Sequence, residues 1–289
     1  MTSSNTNICQ GKIPCAYLNH GGGPLPLLGQ QPALAATLTQ YSEKLKSNSP
    51  SAILVVTAHW IEDTVTISSG DQHSLYFDYY GFPAESYQYK YDAPGSPQLA
   101  STISTLLTDA GISNKLDSQR GWDHGVFVPL MLMFPQATIP VVAMSLHRSL
   151  DPDLHIRIGQ ALSSLRQQGV LILGSGASFH NFDYFFARDS KTKLDGLAHS
   201  HTFDRYLEDS LTDKLSLPSS ERLDRLRQWS SAPSARQGHK RGQEEHLLPL
   251  HVVAGAGFGN DPDHATGAKR IGEPASESEL AISSFEWTE

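Results

Sequence analysis

A chain of 289 residues with 39% apolar and 18% charged residues is long enough to bury a full core as one large α/β domain and too apolar for an extended disordered protein. Its formal charge of −8 without a basic block leaves no electrostatic footprint for a phosphate backbone and argues against a nucleic-acid partner. Residues 1–12 read as a flexible polar segment, no run approaches the ~18 apolar residues of a membrane span, and Cys9 with Cys15 fits neither a disulfide framework nor a paired zinc motif; the expectation is one cytoplasmic domain over 13–289.

Ile13–Leu18 reads as a strand that runs into Asn19-His20-Gly21-Gly22-Gly23-Pro24, a cluster that continues neither strand nor helix. From Gln31 to Lys46, Leu34, Leu38, Tyr41 and Leu45 recur at helical spacing, with Pro32 tolerated in the first turn. Ser51–Thr57 is a second buried strand, capped by His59. Thr64–Ser68 alternates as a half-exposed or edge strand does. His73–Pro97 carries many tyrosines and phenylalanines among prolines and glycines, too aromatic for a linker and too broken for regular structure, so it either walls a pocket or covers the core.

Ser96-Pro97 opens a helix with Leu99, Ile103, Leu106 and Leu107 on one face, ended by Gly111. Val126–Phe134 is apolar, and Pro129 predicts a helix start near itself, leaving His124 just before it. Thr138–Leu146 is a strand, Asp151-Pro152 starts a helix with Leu154, Ile158, Leu162 and Leu165, and Val170–Leu173 is a buried strand. Gly174 and Gly176 then supply a tight turn toward His180-Asn181. Beyond it lie amphipathic stretches around Phe203, Leu207 and Leu211 and around Leu223 and Leu226. Pro249 falls in the first turn of a helix over Leu250–Ala256, Gly257–Pro274 is loop, and Leu280–Trp287 returns as a last strand. The alternation predicts an α/β fold, a single domain with a central mixed or largely parallel sheet flanked by helices and a site at the strand ends. Strand order is not readable from the pattern.

Of the 13 histidines, His199, His201, His239 and His264 lie in polar surroundings that predict solvent exposure. His20, His59, His180 and His246, with His124 a fifth, occupy boundaries between apolar elements and loops. Strand ends on one sheet edge converge, so these distant positions can share one site, and imidazole suits iron, zinc, copper and nickel. Each histidine taken singly also fits a structural role, donating to a backbone carbonyl.

The chain resembles the class III extradiol ring-cleaving dioxygenases of the DOPA-dioxygenase type. The resemblance rests on His20-Gly21 with Pro24, Thr57-Ala58-His59-Trp60, Asp78-Tyr79-Tyr80-Gly81-Phe82-Pro83, Tyr91-Asp92-Ala93-Pro94-Gly95, Asp123-His124-Gly125, Gly174-Ser175-Gly176 with His180-Asn181, and Glu245-His246-Leu247-Leu248-Pro249-Leu250, in family order across most of the chain. It implies a non-haem, metal-dependent enzyme that opens the ring of a catechol, DOPA or a related compound, by inserting both atoms of O2 beside the diol. It implies that His20, His59 and His246 bind the metal, that His180 is an acid/base that closes the coordination sphere when zinc binds, and that His124 is a second acid/base. Many relatives use two histidines and a glutamate, so Glu245 stands as the alternative to His246. Fe(II) is implied for activity and Zn(II) as a possible occupant of the same site. A small catecholic substrate and O2 are then the expected partners, with no nucleic acid or membrane, and the oligomeric state is not readable from the sequence. The competing readings are a zinc hydrolase, in which a metal-bound water attacks an ester or amide, and a non-enzymatic metal-binding protein on the same scaffold.

Overall fold

The computed structural model describes residues 12–45, 50–263 and 266–289. All but Lys12 of the expected flexible segment, and with it Cys9, Lys46 and His264, lie outside the described residues. Strands β1 (Cys15–Asn19), β2 (Ala52–Glu62), β3 (Val65–Ser68), β4 (Asn114–Asp117), β5 (Val141–His147), β6 (Val170–Gly176), β7 (Lys269–Ile271) and β8 (Ser284–Trp287) form one sheet in the order β4-β3-β5-β2-β6-β1-β8-β7. The centre, β5-β2-β6-β1, is parallel, whereas β3 meets β5 and β8 meets β1 antiparallel. The sheet is mixed and largely parallel, as the alternation of elements predicts.

Helices cover both faces: α1 (Pro32–Leu45), α2 (Pro97–Asp109), α3 (His124–Met133), α4 (Pro152–Leu162), α5 (Phe182–Phe185), α6 (Ser190–Leu211), α7 (Ser219–Arg227), α8 (Ala235–Gly238) and α9 (Leu248–Phe258). Because strand side chains alternate, Leu54, Val56, Cys15, Tyr17 and Ile172 join the core under α2, α4, α6 and α9. Ile53, Val55, Ala16, Leu18, Leu171 and Leu173 join the core under α1 and α3. The helix starts at Ser96-Pro97 and Asp151-Pro152 form as expected, with Ser96 Oγ accepting from Leu99 N at 3.2 Å and Asp151 Oδ1 from Asp153 N at 3.0 Å.

Several boundaries differ from expectation, each for a local reason. β2 does not end at Thr57: it runs on to Glu62, with a register shift against β5 between Val56 and Ile61, so His59 sits inside an irregular strand rather than capping one. β3 is fully buried because β4, which the pattern missed, takes the edge. α3 begins at His124 and contains Pro129. Gly174 and Gly176 belong to β6, where the need is for space rather than a turn. A Cβ at Gly176 would stand 2.1 Å from the His246 carbonyl oxygen and one at Gly174 2.6 Å from that of Pro249, so glycine lets the chain entering α9 lie on the sheet. β7 forms inside the expected loop 257–274. His239 is buried, not solvated: Nε2 lies 2.9 Å from Ser178 O, and the ring packs edge-on to Trp229 and Phe203. No helix among the described residues is long and apolar enough to cross a membrane.

Candidate metal centre

The parallel register sets the positions. Asn19 pairs with Gly176 and Thr57 with Ser175, so the carboxyl ends of β1 and β6 lie beside the stretch of β2 that enters His59, at the sheet edge where ligands gather in α/β folds. His20 follows β1, His59 lies in the distal part of β2, His124 opens α3 and His246 precedes α9, whose first turn holds Pro249. The ring centroid of His20 is 4.9, 5.3 and 5.4 Å from those of His59, His124 and His246. His59 is 3.9 Å from His124 and 4.9 Å from His246. His20, His59, His124 and His246 therefore share one site. His180 joins from outside, stacked on His246 at 3.5 Å and 10°.

By donor-atom spacing the residues form two groups, His20 with His59 and His124, and His180 with Glu245 and His246. Hydrogen bonds decide which nitrogen each ring offers. Ser175 Oγ donates to Gly125 O at 2.5 Å, so it can only accept at its 2.8 Å contact with His20 Nδ1. His20 therefore carries its proton on Nδ1 and has a lone pair on Nε2. Pro129 explains why Gly125 O is free: proline has no N–H to bond the carbonyl four residues back, and the serine takes that acceptor.

His124 Nδ1 donates to Asp78 Oδ1 at 2.8 Å, and His246 Nδ1 to Glu245 Oε1 at 3.0 Å. Asp78 Oδ1 also accepts from His124 N at 3.0 Å, and Oδ2 is 3.5 Å from His59 Nδ1. Every ring of the inner four thus turns Nδ1 to a side-chain oxygen, which leaves Nε2 as the nitrogen still able to ligate. His20 Nε2 and His59 Nε2 face each other at 3.2 Å. Two lone pairs at that distance repel unless a cation lies between them, and metal–nitrogen bonds of ~2.0–2.1 Å imply neighbouring ligand nitrogens about 3.0–3.4 Å apart. The donor set fits a first-row transition ion.

Metal ligation needs neutral imidazole, and the surroundings enforce it. Burial, then the neighbouring histidines, push His20 and His246 well below the ordinary value. His59 is pushed down to about 3 by burial and then His124, opposed by Asp78. Burial and then His124 take His180 down to about 4. Burial alone would raise the Asp78 carboxyl, but its bond and charge contact with His124 hold it below the usual carboxylate range.

The backbone around the rings is fixed by partners that sequence reasoning did not single out. Tyr17 Oη donates to His246 O at 2.8 Å, and Ala177 N donates to the same oxygen at 3.0 Å. Arg120 donates to His59 O and to Asp123 Oδ2, each at 3.1 Å, while Thr57 Oγ1 donates to Asp123 Oδ1 at 2.7 Å. Asp78 opens one of the motifs that carry the family resemblance, though no role was expected of it. That stretch divides its rings: Tyr79, Phe77, Phe82 and Tyr89 pack with Phe127 and Val128 beside the site, Tyr79 lying 5.9 Å from His124, whereas Tyr91 joins the core.

Comparison with known proteins bears on this arrangement. Residues 15–273 match the family described as the catalytic LigB subunit of aromatic ring-opening dioxygenase. The chain is 39% identical over 257 residues to dioxygenase tasH of Hapsidospora irregularis, covering 85% of this chain and 78% of that protein. It is 38% identical over 242 residues to 4,5-DOPA dioxygenase extradiol of Beta vulgaris, covering 83% and 85%. An uncharacterized Escherichia coli K12 protein of known crystal structure superposes with a TM-score of 0.71 at 25% identity, over 95% of this chain and 99% of the other.

Proposed function

Since the chain belongs to the LigB family of aromatic ring-opening dioxygenases and is an extradiol ring-cleaving dioxygenase, we propose that it opens catechols of the DOPA type at His20, His59 and His246 with ferrous iron bound. Family and relatives lend no support to a hydrolase or to a non-enzymatic scaffold. The observation that carries the site assignment is the clustering of the His20, His59 and His246 rings, whose centroids lie 4.9, 5.4 and 4.9 Å apart and whose Nδ1 atoms turn to Ser175, Asp78 and Glu245. Glu245 serves as the acceptor behind His246 in this reading, rather than as the ligand in its place. Ferrous iron supplies the redox chemistry that joins a catechol to dioxygen; zinc, for which His180 is the natural fourth donor, lacks it.

The chain's own groups handle the protons. His180, neutral near pH 7 and beside the ligand His246, takes a hydroxyl proton as the diol binds. His124, whose Nδ1 is committed to Asp78, takes the second hydroxyl proton on Nε2 and returns it as the ring opens. His124 is buried with the Tyr79 ring against it, which limits competition from water for its transfer.

Oxygen uptake by ferrous-loaded protein across a panel of diols, with product spectra, tests the reaction, and absence of uptake from every diol would refute it. The ligand assignment is tested separately by metal content. His246→Ala is expected to lose bound metal, while His124→Ala keeps metal and loses at least about a hundredfold in turnover, the scale of one general acid. The opposite pattern would exchange the two roles.

A further inference from the structure

The chain leaving His180 turns one short helix, α5, and sets three phenyl rings in water. Phe182 is 60% exposed, Phe185 36% and Phe186 74%. A contiguous aromatic patch left in solvent marks a recognition surface. The turn holds them outward. Asn181 caps it, accepting from Asp183 N at 3.0 Å and donating to Gln237 O at 2.6 Å, and Lys240 pairs with Asp183 at 2.6 Å. Tyr184 is anchored inward, its ring 6.0 Å from Phe179 and 5.8 Å from His199. With Tyr184 fixed against the core, its neighbours on the turn face away.

These rings continue the candidate metal centre without a gap. His246 stacks on His180 at 3.5 Å, His180 lies 4.8 Å from Phe182 and 6.0 Å from Phe185, and Phe182 stacks on Phe186 at 5.6 Å. The column runs from a ring beside the metal position to the surface, longer than a catechol alone would use. Its flanking cations from residues 236–240 are engaged, Lys240 with Asp183 and Arg236 with Glu244 at 2.5 Å, and the carboxylate nearest His246 is Glu245. A phenyl ledge so placed favours an apolar or aryl group over the charged end of an amino acid.

We infer that Phe182, Phe185 and Phe186 receive a bulky apolar or aryl substituent on the catechol ring, so that the preferred substrate is an aryl-extended catechol rather than DOPA itself. This rests on the ring-cleavage reading above. The test compares 3,4-dihydroxybiphenyl with DOPA, by anaerobic calorimetric titration of ferrous-loaded protein and by kcat/KM from oxygen uptake, in wild type, a Phe182→Ser/Phe186→Ser double variant and Phe182→Tyr.

Wild type is expected to favour the biphenyl diol by about tenfold or more, the double variant to lose about tenfold of that preference through KM and binding, and Phe182→Tyr to keep it. An equal preference in wild type and double variant would overturn the inference. So would a wild-type dimer in sedimentation that the double variant converts to monomer without a change in preference, since the ledge would then belong to a second copy of the chain. If no diol binds or consumes oxygen in any of the proteins, the ring-cleavage reading itself fails, an outcome distinct from a lost preference.

Discussion

Two sets of buried histidines serve different ends in this molecule, and their hydrogen bonds separate them. At the sheet edge His20, His59, His124 and His246 turn Nδ1 to side-chain oxygens of Ser175, Asp78 and Glu245, and His20 and His59 leave Nε2 facing each other. In the helical half, His155 Nδ1 donates to Asp151 O at 2.7 Å and its Nε2 accepts from His147 N at 3.2 Å, while His239 turns Nε2 to Ser178 O. The first set is held from behind by side chains; the second turns its bonded nitrogens to the backbone, with His239 Nδ1 buried without a hydrogen-bond partner among the described residues. Burial is common to both, and burial depresses the pKa of His20, His59 and His246 as it does that of His155 and His239, so neither property marks a functional histidine. The partner of the nitrogen that faces away from the centre does.

That contrast can be broken from either side. Asp78→Ala removes the acceptor behind both His59 and His124, and metal affinity or turnover is expected to fall roughly 10–100-fold, the cost of losing a partner that orients a ligand; metal titration with steady-state assays checks it, and an unchanged protein would refute the orienting role. His155→Leu should instead cost roughly 1–3 kcal/mol of stability by stranding His147 N, read as a shift in the denaturant midpoint, with metal content intact. Were His155→Leu to strip the metal, the separation of the two sets would collapse.

Counted per residue, the smallest effect is with pH. Burial holds His155 and His239 at about 3 in the folded chain against 6.5 for the free group, so the unfolded chain binds more protons below pH 6.5 and stability falls as pH drops from there toward 3. Between pH 7 and pH 6 the loss is expected to be about 0.7 kcal/mol for each such histidine, measured by denaturant melts at the two pH values. A stability that rose on acidification would contradict their neutral burial.

Much of this architecture was legible because period and punctuation are local. The apolar runs at Ser51–Thr57 and Val170–Leu173, the Ser96-Pro97 and Asp151-Pro152 starts and the helix entered through Pro249 all lie where propensity and tertiary packing agree. The misreadings share a cause. Pro129 inside α3 and Gly176 inside β6 look like breakers, yet one frees a carbonyl for Ser175 and the other makes room for the His246 carbonyl. Their reasons lie in partners far along the chain, which no local pattern contains.

By itself the sequence determined the alternating α/β build and supplied, in family order, the five histidines of the site, because apolar period, caps and ordered motifs are properties of the linear chain. Only the tertiary structure decided that β1, β6 and β2 stand adjacent, which ring nitrogens face inward, that Asp78 supports two histidines at once, and that His239 is buried rather than solvated. Those are matters of register and of hydrogen bonds between residues tens to hundreds of positions apart, and they come into being when the sheet closes.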